Sequence, residues 1–230
     1  MEGWLPRGPP ARILAGVRAA LIDLFDTLVW SDWPQLRGKL SDALGVEPRR
    51  LSRAYQATYS MRQTGGFGSA EGDITAIVEA CGLEPEPSFV RELALIVTSH
   101  LDGEVHVYED SVPVLRALRE RGVRTAIVSN CDHFARALVD ELGFPGEVDA
   151  VVLSVEVGSH KPEERIYRVA LDEIGAEPDE AVFVDDQPEY LDGAAALGIR
   201  TFHIVRANEP FEGFGEPGRH AVIGDLTALL

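Results

Sequence analysis

Carboxylate and hydroxyl side chains follow short apolar runs at three places in the chain. Asp23 follows the first run, Ser129 and Asn130 follow a second, and Asp185 and Asp186 follow a third. An aspartate at the end of a buried strand can act as a metal ligand, a nucleophile or a loop cap. Adjacent carboxylates repel each other unless a cation lies near them, and Mg²⁺ prefers oxygen ligands of this kind. Together these residues predict an oxygen-rich cation site.

Lys161 supplies a positive charge that could serve the same site. It lies in the segment 158–162, Gly-Ser-His-Lys-Pro, at the predicted start of a helix. An anionic substrate beside carboxylates requires a fixed positive charge. A lysine alone is usually a solvated surface residue, but this position at a helix start favours an anion-binding role.

Outside residues 33–101, apolar runs alternate with amphipathic helical patterns. Such alternation predicts a parallel sheet with helices on both faces. The predicted strands cover residues 19–23, 124–129, 151–153, 181–184 and 201–205, with a further edge strand at 221–223. Because parallel strands end at the same edge of their sheet, the polar residues that follow them are expected to converge there.

Residues 33–101 show helical periodicity and no strand pattern. Glycines at 45, 65–66 and 82 separate four amphipathic segments. Four consecutive helices inserted after the first strand predict a separate bundle-like unit, and a decorated edge of the same core is the alternative. A short helix is also predicted around Ile13, and the tail at 213–218 is predicted to be a loop.

Four segments resemble, in the same order, the four motifs of the haloacid dehalogenase (HAD) superfamily. The segment 23–28, Asp-Leu-Phe-Asp-Thr-Leu, resembles the first motif. Ser129 resembles the second, Lys161 the third, and the pair Asp185-Asp186 the fourth. One six-residue match would be weak, whereas four ordered matches across most of the chain are specific.

The resemblance implies a fold and a division into domains. The implied fold is α/β, with a doubly wound, Rossmann-like parallel-sheet core and a small all-helical cap domain. The core is expected to comprise residues 1–30 and 103–230, and the cap is expected to comprise residues 31–102. In this superfamily a cap at that position closes over the nucleophile and selects the substrate.

The resemblance also implies a role for each matching residue. Asp23 is the expected nucleophile, which forms a covalent aspartyl intermediate. The expected catalytic residues are Asp23, Thr27, Ser129 and Lys161. The expected substrate-binding residues are Ser129, Asn130 and Lys161. Mg²⁺ is the expected cofactor, and its expected ligands are Asp23, the backbone carbonyl of Phe25, Asp185 and Asp186, the last directly or through water.

Two positions depart from the phosphatase pattern of the superfamily. Phe25 stands where those phosphatases carry a general acid/base aspartate, and Tyr190 stands where many members carry an acid or Asn. Phenylalanine cannot transfer a proton, and loss of a positioned acid typically lowers a rate about a hundred- to ten-thousandfold. Asp26, His133 and His160 are candidate substitutes for the missing acid.

These departures leave three functions open. Mg²⁺-dependent hydrolysis of a small phosphoester is favoured, because the Asp185-Asp186 pair requires a cation. Dehalogenases of the superfamily tolerate an aromatic residue at the position of Phe25, since halide leaves without protonation, yet they usually lack the acidic pair. A 2-haloacid dehalogenase is therefore the second interpretation. A catalytically weak member that binds a phosphorylated ligand or a protein partner is the third.

Arginines in the helical segment are weaker candidates, because exposed arginines are common on helices. Arg37 lies early enough in the predicted cap to bind the carboxylate of a haloacid. Arg49, Arg50, Arg53 and Arg62 are other candidates for reaching over the site.

Composition restricts the partners and the compartment. The 230 residues carry a formal net charge of −17, which repels nucleic acids and anionic membranes but not a small anionic substrate bound in a local field. Cys81 and Cys131 are far apart in sequence and predict neither a disulfide framework nor a thiolate metal site. Without a signal-peptide pattern or a bilayer-length apolar stretch, a cytoplasmic protein is expected. Monomer and homodimer both stay open.

Overall fold

The computed structural model describes residues 16–206 and 220–230. Its strands, in chain order, are β1 (Ala19–Ile22), β2 (Val29–Ser31), β3 (Val105–Val107), β4 (Arg124–Ser129), β5 (Ala150–Leu153), β6 (Ala181–Asp185), β7 (Arg200–Ile204) and β8 (Ala221–Ile223). In the described residues, six strands form a parallel sheet in the order β5-β4-β1-β6-β7-β8. The predicted parallel sheet is confirmed, including its edge strand.

Helices cover both faces of this sheet. The helices, in chain order, are α1 (Trp33–Leu44), α2 (Pro48–Gln63), α3 (Ala70–Ala80), α4 (Pro87–Glu104), α5 (Ser111–Glu120), α6 (Ala135–Glu141), α7 (Ser154–Val157), α8 (Glu164–Ile174) and α9 (Pro188–Ala196). Buried residues of α5 and α6 share one apolar cluster with the sheet, and buried residues of α8 and α9 share another. The core is therefore doubly wound, as the sequence predicted.

Strand β1 lies at the centre of the sheet and is buried along its whole length. Ala20 and Ile22 belong to the apolar cluster on one face, and Leu21 belongs to the cluster on the other, because successive side chains of a strand point to opposite faces. Ile22 is in register with Val184 of β6, and the backbone N–H of Asp23 donates to the Val184 carbonyl at 2.9 Å. This register brings the residues that end β1 and β6 side by side.

Helices α1 to α4 form a unit with an apolar cluster of its own. Leu40, Leu51, Val78 and Leu93, one from each helix, are at most 2% exposed and lie in this cluster. Helix α1 ends at Gly45, whose φ of 62° lies in the left-handed region that glycine adopts without strain. The predicted helices are confirmed, whereas the domain boundaries at residues 31 and 102 stay a prediction.

A short antiparallel ribbon, which the sequence did not predict, connects the helical unit to the sheet. Strands β2 and β3 immediately precede α1 and follow α4, and Trp30 is paired with His106. Their rings lie 4.6 Å apart between centroids. The entry and exit of the helical unit are thus joined by backbone hydrogen bonds and by one ring contact.

Two further features differ from expectation or fall outside the structure. Helix α8 begins at Glu164 rather than Pro162, because residues before it form a turn in which the Ser159 hydroxyl donates to the Glu163 carboxylate at 2.6 Å. The helix predicted around Ile13 and the loop predicted at 213–218 lie outside the described residues. Among the described helices, none has the length and hydropathy needed to cross a bilayer.

Arg206 holds the loop that follows β1. Its Nη1 lies 2.9 and 2.8 Å from the two carboxylate oxygens of Asp110, and its Nη2 donates to the carbonyl of Thr27. The guanidinium also lies 4.0 Å from the ring centre of Tyr108. Because side-chain exposures in this ion pair are only 5% and 14%, the pair fixes the backbone near Asp23 in a largely dry environment.

Asp110→Ala is expected to lower the free energy of unfolding by about 3–5 kcal/mol, because it removes one partner of a largely buried ion pair and the acceptor of the Leu226 N–H. Urea denaturation of the two proteins measures this difference. Asp140→Ala is the matched control, since Asp140 is 57% exposed and lies 3.6 Å from Arg136. Loss of that exposed pair is expected to cost less than about 1 kcal/mol. Equal losses in the two variants would contradict a structural role for Asp110.

Candidate functional site

Lys161 lies between the ends of β1 and β6. Its Nζ donates hydrogen bonds of 2.6 Å to Oδ1 of Asp23 and 2.6 Å to Oδ2 of Asp185. The Lys161 side chain is 1% exposed. Burial alone would lower the pKa of Lys161, but the Asp185 and Asp23 carboxylates outweigh burial and raise it. Lys161 is therefore a fixed positive charge at the sheet edge.

Asn130 positions the backbone of Lys161. The Asn130 Oδ1 accepts from the Lys161 N–H at 2.7 Å, and the Asn130 Nδ2 donates to the Lys161 carbonyl at 2.9 Å. The side-chain amide joins the end of β4 to the turn before α8. A substrate-binding role for Asn130 stays a prediction.

Three carboxylates cluster beside Lys161. Among the described residues, one carboxylate oxygen each from Asp23, Asp185 and Asp186 lies within 4.8 Å of the others. Burial raises the pKa of Asp23 and of Asp185, and Lys161 opposes the rise. Burial and then the Asp185 and Asp23 carboxylates raise the pKa of Asp186 to about 9. A cation bound here would relieve the repulsion that contributes to these shifts, so the cluster suits a divalent cation with oxygen ligands.

Two buried hydroxyls belong to residues at the same edge of the sheet. Thr27 lies in the loop after β1, and Ser129 is the last residue of β4. Thr27 and Ser129 are both fully buried. The Thr27 hydroxyl interacts with the Asp23 carboxylate and helps to lower its pKa, whereas within the described ranges the Ser129 hydroxyl oxygen has no hydrogen-bond partner. Buried hydroxyls are normally paired, so the Ser129 hydroxyl is available to an oxygen atom of a bound anion. The roles predicted for Thr27 and Ser129 stay predictions.

A cavity of about 460 Å³ lies between the helical unit and the sheet edge. Phe25 and Asn130 contribute to its wall from the side of the catalytic candidates. The Phe25 ring meets the Trp33 ring edge-on, with 5.3 Å between centroids. Phe25 is thus a packing residue between the cavity and the carboxylate cluster, and it cannot act as a general acid or base.

A family model described as haloacid dehalogenase-like hydrolase matches residues 17–198, a range that includes every carboxylate of the cluster and Lys161. The chain belongs to the haloacid dehalogenase-like hydrolase family. The matched range begins before β1 and ends after α9, so it covers the helical unit and four of the six strands of the sheet, leaving out β7 and β8.

Relatives of this family member include both dehalogenases and phosphatases. (S)-2-haloacid dehalogenase 4A of Burkholderia cepacia is 31% identical over 226 residues, 93% of this chain and 95% of that protein. Phosphatase MT3486 of Mycobacterium tuberculosis is 27% identical over 124 residues, 53% of this chain and 54% of that protein. Alignments to several other curated relatives likewise span only about half of those proteins.

The fold is also that of a solved haloacid dehalogenase-type phosphatase. The HAD phosphatase from Thermococcus onnurineus superposes with a TM-score of 0.63 and 23% sequence identity, covering 93% of this chain and 96% of that one. At this identity the similarity establishes the fold, and the two activities among the relatives leave the reaction to be argued from the site.

Tyr190, at a position where many family members carry an acid or Asn, joins the site to α2. Its ring centre lies 5.0 Å from the Nζ of Lys161, and its hydroxyl lies 3.0 Å from the hydroxyl of Tyr59. Asn130 also donates to the Tyr59 hydroxyl, at 3.3 Å. Tyr190 therefore presents an aromatic face to Lys161 and contacts the helical unit through Tyr59.

The candidate arginines lie in different environments. Arg37 lines the cavity, whereas Arg49, Arg50 and Arg53 line a separate open groove at the start of α2. Arg62 is buried rather than exposed, and its Nη1 lies 3.3 Å from Oδ2 of the cavity residue Asp132. Of these five arginines, Arg37 is therefore the one that lines the cavity.

The candidate substitutes for the missing acid have other partners. His133 Nδ1 lies 2.7 Å from Oδ2 of Asp73, and His160 Nδ1 lies 2.9 Å from the Lys161 carbonyl. Asp26 has a φ of 60° and helps to turn the chain after β1. None of these three is among the cavity-lining residues described here.

Sequence reasoning missed two acidic residues of the cavity, Asp73 and Asp132. Asp73 shares a helical face with Ala76 and Ile77 and is buried with them. A carboxylate on an apolar helical face was the available signal, because such a residue is rarely buried without a partner or a function. Asp132 follows a predicted strand end by three residues and carried no comparable signal.

Proposed function

We propose that this family member hydrolyses a small phosphoester with Mg²⁺ bound at the Asp23, Asp185 and Asp186 carboxylates. The observation that carries the proposal is the convergence of their oxygens within 4.8 Å, in the described part of the chain, beside the single ammonium of Lys161. One ammonium would offset only part of the negative charge of the three carboxylates if all of them were ionised. A dianionic phosphoester would be repelled from such a site unless a divalent cation were also present.

The donor set fits Mg²⁺. All three side chains present hard oxygen donors, and the neighbouring Thr27 and Ser129 hydroxyls add polar surface without competing soft ligands. Mg²⁺ bound there would offset negative charge on the carboxylates and on the transferred phosphoryl group. The backbone carbonyl of Phe25 remains the fourth proposed ligand.

The chain's own residues account for the remaining steps. An oxygen of Asp23 attacks phosphorus, the bond to the ester oxygen breaks, and a phosphoryl-aspartate forms. Water then attacks that phosphorus, which returns Asp23 and releases phosphate. Lys161 orients Asp23 through its 2.6 Å hydrogen bond, and the Ser129 and Thr27 hydroxyls donate to phosphoryl oxygens. Because Phe25 cannot donate a proton, the leaving oxygen takes its proton from water.

A 2-haloacid dehalogenase is the second candidate. Phe25 favours this candidate. Its ring lines the cavity at the position where a phosphatase would need an acid, and a halide leaves without taking up a proton. In that reaction Asp23 attacks the carbon that carries the halogen, halide leaves, and water hydrolyses the resulting ester. Arg37 would then bind the substrate carboxylate from the cavity wall.

We also propose that residues 31–102 act as the cap and residues 1–30 and 103–230 act as the core. The separate apolar cluster of α1 to α4 supports this division, as does the cavity between that unit and the sheet edge. The ribbon of β2 and β3 is the natural hinge, since both connections pass through it.

A panel of phosphoesters and 2-haloacids, each assayed with Mg²⁺ and with chelator, tests the proposed reaction. Phosphate release that depends on Mg²⁺ is the expected result. Halide release that survives chelation would overturn it in favour of the dehalogenase. If neither phosphate nor halide were released, the third interpretation, a catalytically weak binding protein, would be favoured.

Asp186→Asn is expected to weaken Mg²⁺ binding by at least about tenfold, a loss typical of altered ligand shells. Calorimetric titration with Mg²⁺ measures this without relying on activity. Asp172→Asn, a change on the exposed face of α8, is the control and should bind Mg²⁺ like the wild type. Because the pKa of Asp186 is raised to about 9, its carboxyl is largely neutral at pH 7 in chelator, so the neutral Asn side chain should not lower the thermal stability. Unchanged Mg²⁺ affinity would contradict the metal site.

A further inference from the structure

Two oxygens in the cavity wall have no hydrogen-bond partner. Asp73 and Gln63 both line the cavity and are 1% and 7% exposed. Within residues 16–206 and 220–230, neither Oδ1 of Asp73 nor Oε1 of Gln63 has a partner. Both are hydrogen-bond acceptors, and they come from α3 and from the last residue of α2. Buried acceptors without a donor are costly, so a pair beside one cavity points to a missing donor.

The other carboxylate of the cavity wall, Asp132, has a hydrogen-bond partner for each of its oxygens. Oδ2 of Asp132 faces Arg62 at 3.3 Å, and Oδ1 accepts from the Phe134 N–H at 3.2 Å. In Asp73, by contrast, Oδ2 accepts from both the backbone N–H and the ring of His133, and Oδ1 is left over. The His133 contact therefore explains the position of Asp73 but leaves one oxygen for another donor.

The rest of the cavity wall is mostly apolar and aromatic. Four of the lining residues have rings: Phe25, Trp33, Tyr55 and Phe134. Ile74, Ile77, Val97 and Leu101 add aliphatic surface. A volume of about 460 Å³ is within the range of sites that enclose a small organic molecule. Such a wall suits a flat apolar group, and the two acceptors would fix its orientation.

We propose that the cavity binds the leaving group of the substrate, and that this leaving group is a flat apolar body with a hydrogen-bond donor. The donor is a hydroxyl or an ammonium, and it donates to the unpaired oxygens of Asp73 and Gln63. This inference rests on the proposed phosphoester hydrolysis. In that reaction the phosphoryl group lies at the carboxylate cluster, and Phe25 and Asn130 line the cavity on that side. A substrate without the donor leaves both acceptors unpaired and is selected against for that reason.

Three pairs of aryl phosphates of nearly equal size test the inference. The para and meta isomers of hydroxymethylphenyl phosphate carry a donor, those of methoxyphenyl phosphate carry only an acceptor, and those of ethylphenyl phosphate carry neither. For one isomer, kcat/KM for the hydroxymethyl compound is expected to exceed that of the other two by about tenfold to a hundredfold, as for one hydrogen bond to a charged group. Equal kcat/KM values across the three would overturn the inference while leaving the phosphatase in place.

Matched variants assign the preference to the two acceptors. Gln63→Met keeps side-chain length and should reduce the preference for the hydroxymethyl compound several-fold. Gln56→Met makes the same change in the same helix at an exposed residue of the cavity wall and should leave the preference intact. Asp73→Asn, which can present an amide N–H, should reverse the preference toward the methoxy compound. An unchanged preference in both Gln63→Met and Asp73→Asn would overturn the inference.

Binding of the parent phenols separates this inference from the proposed reaction. If the wild type hydrolyses none of the phosphates, the proposed function fails. Calorimetric titration with 4-(hydroxymethyl)phenol and 4-ethylphenol, and with their meta isomers, then decides the inference alone. Tighter binding of a hydroxymethyl compound supports a donor site in the cavity, and equal binding overturns it.

Discussion

Asp23→Asn is expected to lower hydrolysis by at least about ten-thousandfold, the scale seen when a covalent nucleophile is removed. An amide oxygen is too weak a nucleophile to attack phosphorus or carbon, so no aspartyl intermediate forms. The measurement is single-turnover kinetics with the substrate found in the panel. Mass spectrometry of the quenched wild type should show the added phosphoryl group, and the variant should show none.

The fold of Asp23→Asn is expected to survive, because the substitution is nearly isosteric. The Asn side-chain oxygen can still accept from the Nζ of Lys161, which keeps its second hydrogen bond to Asp185. Removal of one charge also relieves repulsion within the carboxylate cluster, which the raised pKa of Asp186 already indicates. The thermal midpoint of the variant should therefore equal or exceed that of the wild type in chelator.

Asp26→Asn is the control for a general effect of charge. Asp26 is three residues from Asp23, its carboxylate contributes to the raised pKa of Asp186, and Asn tolerates its φ of 60°. This variant should retain activity within about tenfold of the wild type, because the nucleophile is intact. An equal loss in both variants would show that local charge, rather than nucleophilic attack by Asp23, explains the result.

The sheet and the carboxylate cluster were accessible from sequence because both follow from one rule. Apolar runs separated by helical patterns predict parallel strands, and parallel strands end at one edge. Asp23 and Asp185 are therefore brought together by topology, and the structure places the Nζ of Lys161, from the turn before α8, within hydrogen-bonding distance of both. No knowledge of individual side-chain packing was needed for that part.

The cavity was not accessible in the same way. Its wall depends on how α2 and α3 pack over the sheet edge, and sequence periodicity gives the buried face of each helix but not its partners. Arg62 has the pattern of a solvated helix residue, yet it is buried against Asp132 and the Tyr55 ring. The ribbon was missed for another reason: strands of three residues, β2 and β3, are too short to show alternation.

Phe25→Asp is expected to raise the hydrolysis of alkyl phosphates by about a hundred- to ten-thousandfold, because it supplies the general acid that the wild type lacks. The wild type should strongly favour aryl phosphates, whose leaving groups need little protonation. In the variant, the slope of rate against leaving-group pKa should flatten. The measurement is kcat/KM for a series of aryl and alkyl phosphates with Mg²⁺.

Phe25→Asn is the matched control, because it removes the same ring without supplying a proton. Phe25 contacts Trp33 edge-on, so both variants lose this packing and are expected to be less stable by about 3 kcal/mol. The difference in activity between the two variants therefore separates the effect of the added acid from the effect of the lost ring. A gain for alkyl phosphates that appears equally in Asn and Asp would contradict general acid catalysis.

The same variant discriminates among the three functions. A phosphatase without its acid gains from Phe25→Asp only when Mg²⁺ is present. A dehalogenase gains nothing, since halide leaves unprotonated, and its activity on 2-haloacids persists in chelator. A binding protein turns over neither class before or after the substitution. The Asp185 and Asp186 pair favours a metal-dependent reaction, whereas Phe25 supplies no proton donor, so substitution of Phe25 discriminates between the two reactions.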